Sequence, residues 1–235
     1  MVDLIQNYDK NISSEYDRIL NSTFDIWGSH PGIGLNKELP DGYTKFGISL
    51  GSFFKPTEEL KPLFAAIGDL ADLDPRHVIL PSGSYHFTFL ALAGHTLNEN
   101  QPLPPEITSL KQICWQMIAD EKWTLENLRL LPGPNFLLLV GKPSAKVAEL
   151  REKFAKALLQ SPWGPLIHLR HEYRGYPFPP VIWHTTLCRY KAEYLPERTR
   201  TLVRKYCNQR FGSIDLDPPL LRRVNYDWSR TVLIS

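Results

Sequence analysis

The chain has 235 residues, of which 43% are hydrophobic and 22% charged, and it carries a net charge of +2. This composition excludes a disordered chain and gives no basis for duplex-DNA binding through bulk charge. The longest apolar run, Phe136-Leu137-Leu138-Leu139-Val140, falls far short of the ~20 residues that span a bilayer.

The length allows one large domain or two small lobes. The first ten residues hold Asp3, Asp9 and Lys10 and lack the apolar stretch of a secretory signal. Cys114, Cys188 and Cys207 are scattered, with no C-x-x-C pair. That excludes a disulfide framework and a cysteine-rich zinc site. The expectation is a cytoplasmic, monomeric protein with no membrane partner.

Residues 2–22 place Ile5, Tyr8, Ile12, Tyr16 and Ile19 at steps of three and four, which predicts an amphipathic helix. A Gly/Pro-rich loop follows to Gly42. Its Gly32-Ile33-Gly34 lacks the Lys-Ser/Thr of a phosphate loop. From there the chain repeats a pattern. A strand over 43–50 leads to a helix over 62–73, opened by Pro62. A strand over 85–92 comes next. A helix then opens at Pro105, and a strand over 124–131 closes the pass. The second pass has a strand over 136–141 and a helix N-capped by Ser144, with Val147, Leu150, Phe154 and Leu158 on its apolar face. A strand over 182–190 and a helix from Pro196 follow. Strands over 213–216, 220–227 and 231–234 complete it. The predicted fold class is α+β. A helical extension over 1–42 precedes a two-lobed domain over 43–235, whose repeats cover about 43–132 and 133–235. Antiparallel-rich sheets flank a central cleft and helices lie outside.

The central strand of each pass holds a His-x-Thr triplet: His86-Phe87-Thr88 and His184-Thr185-Thr186. Residues i and i+2 of a strand share a face, so each triplet presents an imidazole beside a hydroxyl. Seven histidines and twelve threonines in random order give fewer than one such triplet. Two occur, at matching places in the repeat.

This pair of motifs resembles the two-histidine phosphoesterase superfamily, whose signature is two His-x-Thr/Ser-x motifs about this far apart in a duplicated fold. The stretch Leu80-Pro81-Ser82-Gly83-Ser84-Tyr85-His86-Phe87-Thr88 is similar to the first motif of an uncharacterised bacterial branch that carries an N-terminal extension. The resemblance covers roughly 43–234. It departs at Thr185, which fills an often apolar position. It implies hydrolysis or transesterification of a nucleotide or RNA phosphodiester: a 2′,3′-cyclic phosphate, a 2′-5′ linkage or a small cyclic nucleotide.

Those residue types suit the chemistry. One imidazole takes a proton from the attacking oxygen and the other gives one to the leaving oxygen. Thr88 and Thr186 can donate to non-bridging phosphate oxygens. No clustered acidic motif suggests a divalent-metal site, so neither cofactor nor metal is expected. Two imidazoles near the reference pKa of about 6.5 imply a bell-shaped pH dependence of kcat/KM.

The segment from His168 to Pro180 reads as a loop before the second motif. Its Arg170, Arg174 and Tyr176 mix cations with an aromatic ring and are candidates for substrate binding, set against a solvated connector. His168 and His171 resemble a metal pair but lack a third ligand. Arg222-Arg223 and Arg189-Tyr190-Lys191 read as solvated strand ends. His30, His77 and His95 read as surface residues, Tyr85 and Trp183 as packing residues, and Cys188 as a small buried side chain on the face of His184 and Thr186. The alternative function is a nucleotide- or RNA-binding module without turnover. Intact His and Thr at all four motif positions argue against it.

Overall fold

The computed structural model describes residues 2–39, 43–118, 122–172 and 178–234. The elements in chain order are α1 (Val2–Ser29), β1 (Phe46–Phe53), α2 (Lys61–Gly68), α3 (Leu70–Leu73), β2 (His77–Ile79), β3 (His86–Leu97), α4 (Ile107–Ile118), β4 (Trp123–Gly133), β5 (Phe136–Pro143), α5 (Ala145–Leu159), α6 (Gly164–Glu172), β6 (His184–Tyr190), α7 (Glu197–Tyr206), β7 (Ile214–Leu216), β8 (Leu220–Val224) and β9 (Thr231–Leu233). No helix among the described residues is long and apolar enough to cross a membrane.

The fold is α+β, with two antiparallel sheets and flanking helices. One sheet runs β3-β1-β8-β9 and the other β2-β6-β5-β4-β7. The boundary drawn near residue 132 is crossed by both sheets. β4, from the first half, pairs with β5 and β7; β8 and β9, from the second, pair in line with β1. β1 is buried along nearly its whole length because it lies between β3 and β8.

Both motif strands carry one extra residue directly after the threonine. In β1–β3, Leu50 faces Leu90 and Gly51 faces Thr88, so Phe89 has no partner of its own. In β5–β6, Leu137 faces Cys188 and Leu138 faces Thr186, so Leu187 is the extra residue. An extra residue reverses the inward–outward phase of the strand beyond it. Arg189, not Cys188, therefore joins His184 and Thr186 on the cleft face, while Cys188 is buried.

The predicted helices are present, with adjusted ends. Ser144 caps α5, its Oγ accepting from the Val147 N–H at 3.4 Å. The helix expected over 62–73 breaks into α2 and α3 at Asp69, beside the poor helix former Gly68. β2 went unpredicted, since three residues are too few to show alternation. α6 replaces the first part of the expected loop; its apolar residues form no stripe along one face.

α1 runs seven residues beyond the predicted end and joins the common core, with Ile12, Tyr16 and Trp27 all buried there. Thr23 Oγ1 donates to the Pro132 carbonyl at 3.2 Å, and Trp27 Nε1 to that of Pro134 at 3.1 Å. The last turn of α1 is fastened by a buried cation. The Arg200 guanidinium donates to the carbonyls of Leu195 (2.7 Å), Trp27 (3.1 Å) and Gly32 (2.8 Å). One of these is a carbonyl of the last turn, which the helix itself leaves unpaired.

Three side chains read as exposed are not. His77 is buried, held between the Asp74 carbonyl at Nδ1 (3.0 Å) and Thr199 Oγ1 at Nε2 (2.8 Å), because the short edge strand β2 tucks it against α7. Arg223 is buried in β8 and donates to the Glu99 and Gln101 carbonyls. Arg222 lies with its guanidinium 5.1 Å from the Phe53 ring centre. Tyr85 and Trp183 pack as expected, the first on Phe54 and Phe64, the second on Phe89 and Trp123.

Replacing Arg200 by Met removes three hydrogen bonds at once and leaves the buried Leu195 carbonyl without this donor. Stability should fall by about 3 kcal/mol, read from urea unfolding; an unchanged midpoint would show that the three bonds contribute nothing. Thr185 is the opposite case. It is fully buried and its Oγ1 has no hydrogen-bond partner. Thr185→Val keeps the shape and removes the orphan, so the unfolding midpoint should rise, by about 1 kcal/mol; destabilisation instead would reveal a partner for that hydroxyl.

Candidate active site

His86, Thr88, His184 and Thr186 line one cleft of about 250 Å³ between the sheets. β3 brings the first pair and β6 the second. The other contributors include Ser49, Ala91, His95, Arg151, Arg189, Tyr226 and Trp228. Two arginines line this cleft, and Asp227 lines the adjoining hollow together with His86, Thr186, Arg189 and Tyr226.

His86 is fixed on two sides. Its Nδ1 lies 2.7 Å from the Ser84 carbonyl. A carbonyl can only accept, so Nδ1 carries the hydrogen and Nε2 keeps a lone pair. The 3-10 turn Ser82–Ser84 places that carbonyl. The indole of Trp228 stacks on the imidazole, with centres 4.1 Å apart and planes 7° from parallel. Trp228 sits in the turn between β8 and β9 with φ 58°. A bulky residue rarely adopts this left-handed conformation. The turn holds it there: Trp228 N–H donates to the Asn225 carbonyl, and Arg230 N–H to Asn225 Oδ1 at 2.9 Å. Gly51 leaves the room, since a Cβ there would meet the indole edge at 2.7 Å.

His184 projects from the other sheet. Burial lowers its pKa to about 4, and the guanidinium groups of Arg189 and Arg151 push the same way. Burial lowers His86 further, to about 3; the Ser84 hydrogen bond opposes this, His184 adds to it, and Asp227 opposes it. Both values lie well below the 6.5 on which a bell-shaped kcat/KM profile near neutrality rested, so that expectation is corrected. At pH 7 both imidazoles are uncharged, because burial disfavours the imidazolium.

Arg151 is buried on α5. Its guanidinium donates to the Pro180 carbonyl and lies 3.7 Å from the Trp183 ring centre. Sequence reasoning passed over it, yet it falls between Val147 and Phe154 at steps of four and three, on the buried stripe. A cation on an apolar stripe was the signal. Arg189 was read as a solvated strand end. It lies instead in the cleft, 4.6 Å from the Tyr226 ring centre, with Nε buried and unpartnered. His95, read as a surface residue, is half-buried and lines the same cleft. Tyr226 and Trp228 had no signal at all, because a turn distant in sequence delivers them.

Of the expected substrate-binding residues, Arg170 lies on α6 with its side chain outside the described residues, and Arg174 and Tyr176 lie wholly outside them. His168 is exposed on α6. Among the described residues no three His, Cys, Asp or Glu side chains stand close enough to hold a metal ion.

No family model matches the chain, and no curated protein does. Solved structures match it. A conserved protein of unknown function, ATU0111 from Agrobacterium tumefaciens str. C58, is 12% identical with a TM-score of 0.50, over 83% of this chain and 88% of that one. TT0787 of Thermus thermophilus is 16% identical at TM-score 0.48, over 80% and 95%. E. coli LigT in its apo form is 12% identical at TM-score 0.46, over 81% and 96%. At such identities the likeness is one of fold. The α+β arrangement of two antiparallel sheets with flanking helices is the fold shared with ATU0111.

Proposed function

We propose that this chain is a metal-independent phosphodiesterase acting on a nucleotide or RNA phosphodiester. The observation that carries this reading is the convergence of two imidazoles and two threonine hydroxyls, from equivalent places in two strands, on one cleft with two arginines.

An anion is the ligand such a cleft favours. The phosphate lies between the imidazoles, with Thr88 and Thr186 donating to its non-bridging oxygens. His86, with its Nε2 lone pair, accepts the proton of the attacking oxygen as that oxygen bonds to phosphorus. His184 gives its proton to the leaving oxygen as the second P–O bond breaks. His184 takes the donor role because the Ser84 carbonyl fixes His86 as the acceptor, and burial holds the His184 pKa below its ordinary value before substrate binds. The donor must therefore acquire its proton with the substrate. The phosphate's negative charge restores what burial removed and raises the His184 pKa in the complex.

The first test is turnover. The purified protein, with chelator present, should cleave a member of a panel of 2′,3′-cyclic nucleotides, 2′-5′ dinucleotides and small cyclic nucleotides. His86→Ala and His184→Ala should each lower kcat by roughly 10²- to 10⁴-fold, and the double variant little further. Near-normal turnover in either folded single variant would sink the mechanism, as would binding without turnover by the wild type.

The second test is protonic. The free histidines titrate low and the complexed donor titrates higher, so binding a nucleoside monophosphate at pH 7 should take up about one proton. Affinity should weaken as pH rises through the donor's pKa in the complex. Calorimetry in two buffers of different ionisation enthalpy measures the uptake. Zero uptake would mean that His184 is not the group that responds to the phosphate.

A further inference from the structure

The Tyr16 hydroxyl is inserted into the β5–β6 ladder beside the second motif. The last regular pair of that ladder is Val140 with His184. One residue on, the Gly141 N–H still donates to the Trp183 carbonyl at 3.2 Å. The complementary rung is relayed through α1. Trp183 N–H donates to the Tyr16 hydroxyl oxygen at 3.1 Å, and the hydroxyl donates to the Gly141 carbonyl at 2.9 Å. The Trp183 carbonyl also lies 3.4 Å from that oxygen.

We infer that Tyr16 is a positioning residue for His184: its hydroxyl closes the open rung one residue before the motif and so sets the backbone from which the imidazole enters the cleft. The inference rests on the phosphodiesterase reading above for its catalytic consequence, but not for its geometry. Tyr16 is buried, and the Arg129 guanidinium lies 5.2 Å over its ring while pairing with Asp17 at 2.7 Å. The hydroxyl is therefore held by packing on both the helix and the sheet. On the other side, the Trp183 side chain is clamped by Arg151, Phe89 and Trp123. Tyr16 completes that clamp through the backbone. Without the hydroxyl, a buried N–H and a buried C=O face each other across a gap. Water then enters, or the strand end shifts to pair them directly. Either change moves His184, and proton transfer is sensitive to displacements well below a hydrogen-bond length.

The test compares two full-length variants. Tyr16→Phe removes the bridge and keeps the ring. Thr23→Val removes another bond from the same helix to the same sheet, to the Pro132 carbonyl, away from His184. In Tyr16→Phe, kcat on the best phosphodiester should fall about tenfold with KM unchanged. The ring 15N resonances of His184 should shift while those of His86 stay. Thr23→Val should leave both readouts alone. Wild-type kcat and unmoved His184 resonances in Tyr16→Phe would overturn the inference, as would equal losses in Thr23→Val, which would reduce Tyr16 to helix docking. If Tyr16→Phe does not fold, hydrogen exchange in the wild type decides. The Trp183 amide should exchange as slowly as its ladder neighbours although it lies outside β6; exchange at a loop rate would refute the bridge. Should the wild type cleave no phosphodiester, the functional reading fails on that result alone, and the resonances and exchange still decide the role of Tyr16.

Discussion

Two imidazoles share a cleft between two sheets, and keeping both uncharged there is the condition on which the rest of the site depends. An imidazolium in such a place would need a carboxylate, and Asp227, which lines the adjoining hollow with His86, opposes the effect of burial without outweighing it. The protein instead supplies neutral support: the Ser84 carbonyl for one nitrogen of His86 and the Trp228 indole for its face. Burial holds His184 neutral, and the cations Arg189 and Arg151 act in the same direction. The cleft therefore has a deficit of negative charge. On the function proposed above, substrate binding and proton arrival become one event.

The two halves of the chain repeat each other, but neither half builds a sheet alone. β1 needs β8 on one side, and β5 needs β4 on the other, so each sheet joins elements from early and late in the sequence. The repeat survives most visibly in a defect. Phe89 and Leu187, each one residue past the motif threonine, are both extra residues in their ladders. A matched interruption in two separate strands ties the strands together more firmly than matched hydrophobic patterns do.

The four motif residues and most elements were legible because they obey short periodicities: two for a strand face, three and four for a helix. What failed was whatever breaks or escapes a period. Cys188 and Arg189 exchanged faces because Leu187 shifts the phase. α6 was missed because its sequence gathers apolar residues on no single helical face. β2 is shorter than one full alternation. Trp228 and Tyr226 are placed by a turn whose geometry depends on Asn225 and on the empty space over Gly51. Neither leaves a trace at a fixed spacing from His86. His77 and Arg223 were misread for a related reason: burial of a polar residue depends on which distant carbonyls come to meet it.

The stacking of Trp228 on His86 also orders events in time. β1 and β3 are synthesised long before the β8–β9 turn, and until that hairpin pairs with β1 the imidazole has one open face. During that interval no indole covers that face. The stacked arrangement of His86 is thus acquired late, at the step that seats the indole, and maturation of the site is a tertiary event set by the slower, long-range closure of the sheet.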